Sequence, residues 1–219
     1  MTKQRCGLPA SALGAAGVAG LASVRRLGRR SGVTDADLTM PLPGDDLVPG
    51  ARVVIDRAVL LPATPDAVWP WLVQLGKDRG GWYLPGWIER LGIPAGSRGL
   101  RRIEPGLQTL AVGDDVPDWG PGDPVFRAAL IDPPHTLVWL SKRQRSAGWR
   151  WPTDAADDDV MVLSWALVLR PDAAGSRLHL RLRFNRLGGR AQPVIAIAGG
   201  IFDWLTVELL ARGLRERLG

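Results

Sequence analysis

The side chains best equipped for chemistry in this chain are few and far apart in sequence. Glu208 follows Trp204 by four residues beside an apolar stripe near the C-terminus, where a carboxyl would meet an interior space as a ligand anchor or general acid. Arg212, four residues further on, supports the competing reading of an ordinary surface pair. Arg127 interrupts an apolar strand: turned inward it would anchor a carboxylate or oxyanion, turned outward it meets solvent. Tyr83 offers a phenol beside the glycine pair Gly80-Gly81. Glu208, Arg127 and Tyr83 are therefore the catalytic candidates, and they form no constellation with a nucleophile.

The remaining reactive groups argue against several enzyme classes. His135 sits in a Pro133-Pro134-His135-Thr136 turn, and His179 alternates with arginines on an outward-reading strand face. Neither has an evident orienting partner for acid–base work. Cys6 is the only cysteine, so an intrachain disulfide and a cysteine-rich metal site are both excluded. There is no G-x-S-x-G nucleophile setting, no phosphate-cradling glycine loop and no metal-spaced cluster. Asp114-Asp115 follow Gly113 as a turn, and Asp157-Asp158-Asp159 read as solvated charge in a loop. No cofactor and no metal are expected.

Aromatic residues are the more informative signal. Ten tryptophans are many for 219 residues, and an indole or phenol pairs a large apolar face with one polar tip. Trp82, Tyr83, Trp87, Trp119, Phe126, Trp139, Trp165 and Trp204 are the ligand-lining candidates, although Trp165, like Trp69 and Trp71, reads more readily as core. Trp119, in the Pro117–Asp123 loop, has equal standing as a lid or an exposed loop aromatic. Arg143, Arg145 and Arg150 interleave with Trp149 and Trp151, a polar loop with indoles folded under a sheet rather than a nucleic-acid surface.

The elements that must position these groups follow from periodicity. Val53–Leu61 reads as a strand, with Asp56 and Arg57 interrupting it. Thr64 as N-cap and Pro65 at the first helical position open a helix to Leu75, with a kink expected at Pro70. A short helix near Pro85–Leu91 follows the glycine hinge. Val116, Val125–Ile131 and Thr136–Ser141 read as strands, then Met161–Leu169 and Arg177–Leu187 as a hairpin. In its second strand Leu178, Leu180, Leu182 and Phe184 share one face, and Arg177, His179, Arg181 and Arg183 the other, which predicts a solvated arginine face. Its partner is apolar on both faces and belongs deeper in the sheet. Ala191–Leu218 predicts a long helix, softened at Gly199-Gly200, with an apolar stripe at Val194, Ile197, Ile201, Leu205, Leu209 and Leu214.

The block VWPWLVQLG…RGGWY…W-x-ER, between Val68 and Arg90, resembles the START-like (SRPBCC) superfamily of polyketide cyclase/dehydrase type. LPGDDLVPGARVV, LQTLAVGDDV and WLTVELLARGLRER extend the likeness more loosely from about Thr34 to the C-terminus. The resemblance implies an α+β helix-grip fold, a curved antiparallel sheet wrapped around a long C-terminal helix with a cavity between. It also implies a small hydrophobic or amphipathic ligand, such as a lipid, isoprenoid or polyketide, held by a carrier or sequestering protein. The alternatives are a cyclase/aromatase-like enzyme using the same cavity and a membrane-peripheral lipid transfer protein.

Composition bounds the rest. With 46% apolar and 23% charged residues the chain can fold without staples. Its net charge of +6 owes four units to Arg25, Arg26, Arg29 and Arg30, which points to an anionic membrane surface before nucleic acid. Gly7–Val24 is uncharged for 18 residues but rich in glycine, so 1–30 reads as a flexible leader or a weak membrane anchor on a cytoplasmic protein. Residues 31–50 read as a linker wrapping onto a 51–219 domain.

Overall fold

The computed structural model describes residues 23–24, 26–152, 159–185 and 192–219, with side chains in the last helix from residue 196. Most of the anchor segment, Cys6, Arg25, Asp157, Asp158 and the Val194 side chain therefore lie outside the described residues.

Among the described residues, strong β-formers separated by turn residues produce seven strands: β1 (Arg30–Ser31), β2 (Val53–Leu61), β3 (Asp115–Pro117), β4 (Val125–Asp132), β5 (Thr136–Gln144), β6 (Val160–Asp172) and β7 (Gly175–Phe184). They form one sheet in the order β1-β2-β7-β6-β5-β4-β3, antiparallel except for the β1–β2 pair. The helices are α1 (Asp35–Thr39), α2 (Pro65–Gln74), α3 (Gly86–Gly92) and α4 (Gln192–Leu218). A long terminal helix against an antiparallel sheet is the helix-grip arrangement, and the fold class is α+β.

Strand register sorts side chains between the faces. Rows such as Ala128–Trp139–Trp165–Leu182–Ile55 and Leu137–Leu167–Leu180 turn towards α4. With Val68, Trp71, Leu72, Val207, Leu210, Ala211 and Leu214 they make the main core, except that Leu182 and Ile55 pack with Val53, Phe184 and Ala196 in a second, smaller cluster. β6 lies between β5 and β7 at the centre of the sheet, the position its two apolar faces require.

Two expectations fail. The arginine face of β7 is not solvated: His179 and Arg181 are 1% and 3% exposed. Residues 34–48 lie across it, with Leu42 and Val48 buried. Arg177 holds Asp37 at 2.8 Å, while Arg181 binds Asp56 at 2.8 Å, Asp45 at 2.9 Å and the carbonyls of Met40 and Asp37. Alternation assigned the face correctly, but a segment about 140 positions earlier covers it.

The buried stripe of α4 is also displaced. Val207, Leu210, Ala211 and Leu214 face the core, whereas Leu205 is 47% exposed. Small residues explain the error. Gly213 lets the helix approach so closely that a Cβ there would collide with the Tyr83 carbonyl. Large apolar residues alone therefore mark the wrong face. The helix runs unbroken through Gly199-Gly200, because Gly200 is needed for a backbone contact with Gly28 rather than for a bend.

Candidate functional site

Four aromatic side chains gather where the inward face of the sheet meets α4. β6 presents Trp165, and the loop after α2 presents Trp82, whose ring stacks on it with centroids 5.9 Å apart and planes 21° from parallel. Trp82 Nε1 donates to the Thr206 carbonyl at 3.3 Å, fixing the indole between sheet and helix. Trp119 meets Trp82 edge-on at 6.1 Å, and Phe126 from β4 lies 6.1 Å from Trp165. Trp82, Phe126 and Trp165 are half-buried, while Trp119 is 54% exposed. Such a cluster offers apolar area that water wets poorly, next to polar edges.

One ion pair borders the cluster. Arg143 places its guanidinium 5.2 Å from the Phe126 ring centroid, donates to Ser141 Oγ at 3.0 Å and holds Asp118 at 2.7 Å. Asp118 adjoins Trp119, so loop and strand are tied at the site by charge as well as by ring contact. The arrangement can hold a flat or amphipathic molecule; it contains no nucleophile paired with a base.

Other candidates are placed elsewhere. Tyr83 is 0% exposed, packs edge-on against Trp71 at 5.5 Å and donates its hydroxyl to the Trp71 carbonyl at 2.9 Å. Burial pushes its phenol above the usual tyrosine range, so it is a core residue with its proton committed. Trp139 is 3% exposed and is likewise core. Trp87, on α3, is 56% exposed. Trp204 is half-buried on α4.

Arg127 points away from α4: its neighbour Ala128 is the inward residue, and Arg127 forks onto Asp115 at 2.7 and 2.8 Å beneath the Trp151 ring. The inward reading of Arg127 is thus overturned by strand parity. Glu208 is half-buried and makes no hydrogen bond or ion pair among the described residues, including with Arg212, although its charge acts on buried Arg57. Among the described residues no group of three or more His, Cys, Asp or Glu could hold a metal ion. No helix among them is long and apolar enough to cross a membrane.

Three charged centres were missed. Arg57 is 1% exposed and binds Asp203 at 3.0 Å and the carbonyls of Gly200, Gly28 and Leu27. Asp56 joins His179 and Arg181 on the opposite face, each at 2.8 Å. Glu89 joins Arg217 and Arg101, also each at 2.8 Å. The signal for the first two was present in β2, where adjacent opposite charges interrupt an otherwise apolar strand.

No protein-family model matches the chain, and no curated protein matches its sequence. Several solved structures are similar in fold. Protein MLL2253 from Mesorhizobium loti is 17% identical with a TM-score of 0.42, over 75% of this chain and 97% of that one. The Aha1 dimer from Colwellia psychrerythraea is 12% identical with a TM-score of 0.41, over 75% and 98%. CalU16 from Micromonospora echinospora is 14% identical with a TM-score of 0.38, over 76% and 83%.

Proposed function

We propose that this protein is a carrier or sequestering protein for a small hydrophobic or amphipathic molecule, taken up at the Trp82–Trp119–Phe126–Trp165 cluster. The stacked Trp82–Trp165 pair carries the reading. It joins sheet to helix through the Trp82–Thr206 bond yet leaves both rings half-buried, so aromatic surface remains for a ligand to cover. Covering apolar surface contributes about 25 cal/mol per Å² before the costs of association. Arg143 and Asp118 supply the polar rim that would orient the head of an amphipathic ligand. The START-like resemblance of the Val68–Arg90 block supports the same reading, since Trp82 lies within it.

A cyclase-like enzyme is the second reading, and Glu208 is the observation that favours it: a half-buried carboxylate on α4 with no hydrogen bond among the described residues. The test is titration with the hydrophobic fluorophore N-phenyl-1-naphthylamine. Trp165→Ala and Trp82→Ala should each weaken binding by about tenfold, the loss of one aromatic contact face, whereas exposed Trp87→Ala should not. Equal binding by all three variants would sink the site. Glu208→Gln should leave affinity intact in a carrier and remove turnover in a cyclase.

A further inference from the structure

On the opposite face of the sheet, between the N-terminal segment and strands β2 and β7, lies a cleft of about 650 Å³. Arg26, Arg29, Arg30 and Arg183 line it, with Leu38 and Met40 among its apolar walls. We propose that this cleft binds a phosphate monoester carrying an apolar tail, independently of the aromatic cluster.

Charge accounting favours an anion. The cleft holds five arginines against two carboxylates, Asp45 and Asp56. Both carboxylates are already engaged by Arg181, at 2.9 and 2.8 Å, and Asp56 also meets His179. Arg30 leans on the exposed Asp35 at 3.2 Å. Among the described residues Arg26 and Arg29 form no hydrogen bond or ion pair. Both are exposed and stand beside like charge with no ionic partner among the described residues, which a bound anion would supply.

A buried donor points the same way. Arg183 donates to the Val48 carbonyl at 3.1 Å and stands 3.4 Å from Asp45 Oδ1 as an ion pair without a hydrogen bond, while its buried Nε has no hydrogen-bond partner among the described residues. Among the described residues Asp45 Oδ1 accepts no hydrogen bond despite that ion pair, so the inner wall holds a donor and an acceptor that both lack one. A phosphate monoester suits this pairing: its oxygens accept from guanidinium forks, and its protonated form can donate to a carboxylate. Leu38, Met40, Pro41 and Val54 distinguish an ester with a hydrocarbon tail from bare phosphate.

The experiment is calorimetric titration of the full chain with decyl phosphate, inorganic phosphate and decyltrimethylammonium. Decyl phosphate should bind saturably, one per chain, more tightly than inorganic phosphate, and less tightly as salt rises. R26Q/R29Q should weaken it by at least about tenfold, the worth of one charge-assisted hydrogen bond, while R212Q leaves it unchanged. Because Arg26 and Arg29 have no partner to lose among the described residues, the double variant should keep its thermal midpoint. Trp165→Ala should retain decyl phosphate binding, which separates this site from the aromatic cluster.

Unchanged affinity in R26Q/R29Q, equal binding of the cationic amphiphile, or loss of binding in Trp165→Ala would each overturn the proposal. Flotation with vesicles containing phosphatidic acid, whose headgroup is a phosphate monoester, against phosphatidylcholine alone, identifies the source of the phosphate. Flotation that depends on Arg26 and Arg29 assigns a lipid headgroup, and calorimetric binding without flotation assigns a free ester.

Discussion

Arg217 Nη2 lies 2.8 Å from Glu89 Oε1, with side chains 0% and 3% exposed, so an ion pair inside the protein locks the end of α4 to α3. Arg101 takes the other carboxylate oxygen at 2.8 Å, and the Arg217 guanidinium covers the Tyr83 ring at 4.6 Å. Further bonds from Arg217 reach the carbonyls of Leu84, Gly99, Leu100 and Gly213. One arginine thus ties the glycine-hinge loop to the helix, and that loop carries Trp82.

Arg217→Met should cost about 3–5 kcal/mol in denaturant unfolding, because it removes the buried partner of Glu89 Oε1 and leaves that carboxylate only its bond to half-exposed Arg101. Glu89→Gln/Arg217→Met should recover part of that loss. Burial opposes the Glu89 charge, but the bonds from Arg101 and Arg217 prevail and hold its pKa below the ordinary 4.5. A lowered folded pKa gives stability that is present above 4.5 and lost as pH falls through the folded value. The wild-type stability curve should therefore fall on the acid side more steeply than that of Glu89→Gln, measured by urea titration across pH; parallel curves contradict the assignment.

Tyr83→Phe isolates a single buried hydrogen bond. It leaves the Trp71 carbonyl unmet and should cost about 1–3 kcal/mol in thermal or urea unfolding. Fluorophore affinity at the aromatic cluster should stay unchanged, since Tyr83 has no exposed surface. A large loss of affinity with little loss of stability would place Tyr83 in the site instead of the core.

The adjacent glycines of α4 should respond oppositely to alanine. A Cβ at Gly199 meets nothing within 4 Å, so Gly199→Ala should stabilise by about 1 kcal/mol through helix propensity. A Cβ at Gly200 would strike the Gly28 carbonyl, and Arg57 bonds to both of these carbonyls. Gly200→Ala should accordingly destabilise the protein and raise amide exchange around residues 26–31. Identical melting shifts for the two variants would show that the Gly28–Gly200 approach is absent in solution.

Asp37 governs the attachment of residues 34–48. Burial works against its charge, yet the Thr34 backbone N–H, Arg177 and the Thr34 hydroxyl together hold its pKa far below the ordinary 3.8. The stabilisation is present above that value and disappears as pH falls below it. Asp37→Asn should cost about 1.5–3 kcal/mol, the worth of its charged hydrogen bonds. It should also expose the 34–48 segment to limited proteolysis at neutral pH, as acid should in the wild type. An unchanged cleavage pattern in Asp37→Asn would count against this role.

Much of the scaffold is written locally. The β-branched run of β2, the alternation of β7 and Pro65 at the start of α2 announce those elements, because backbone preference and side-chain period act over a few residues. The aromatic cluster was legible in part: Trp82, Trp119, Phe126 and Trp165 come together, while Tyr83 and Trp139 enter the core and Trp87 faces outward. Residue type cannot separate these cases, since an indole lines a pocket or fills a core with the same chemistry.

By itself the sequence determined which residues share a strand or helix face and where most of the elements begin. Tertiary structure alone decided what each face meets. The arginine face of β7 is buried because Asp37, 140 positions from Arg177, folds back over it. The true inner face of α4 is set by how closely Gly213 allows the Tyr83 backbone to approach. Periodicity fixes parity within an element, but burial is a relation between segments far apart in sequence, and only the assembled sheet and helix supply it.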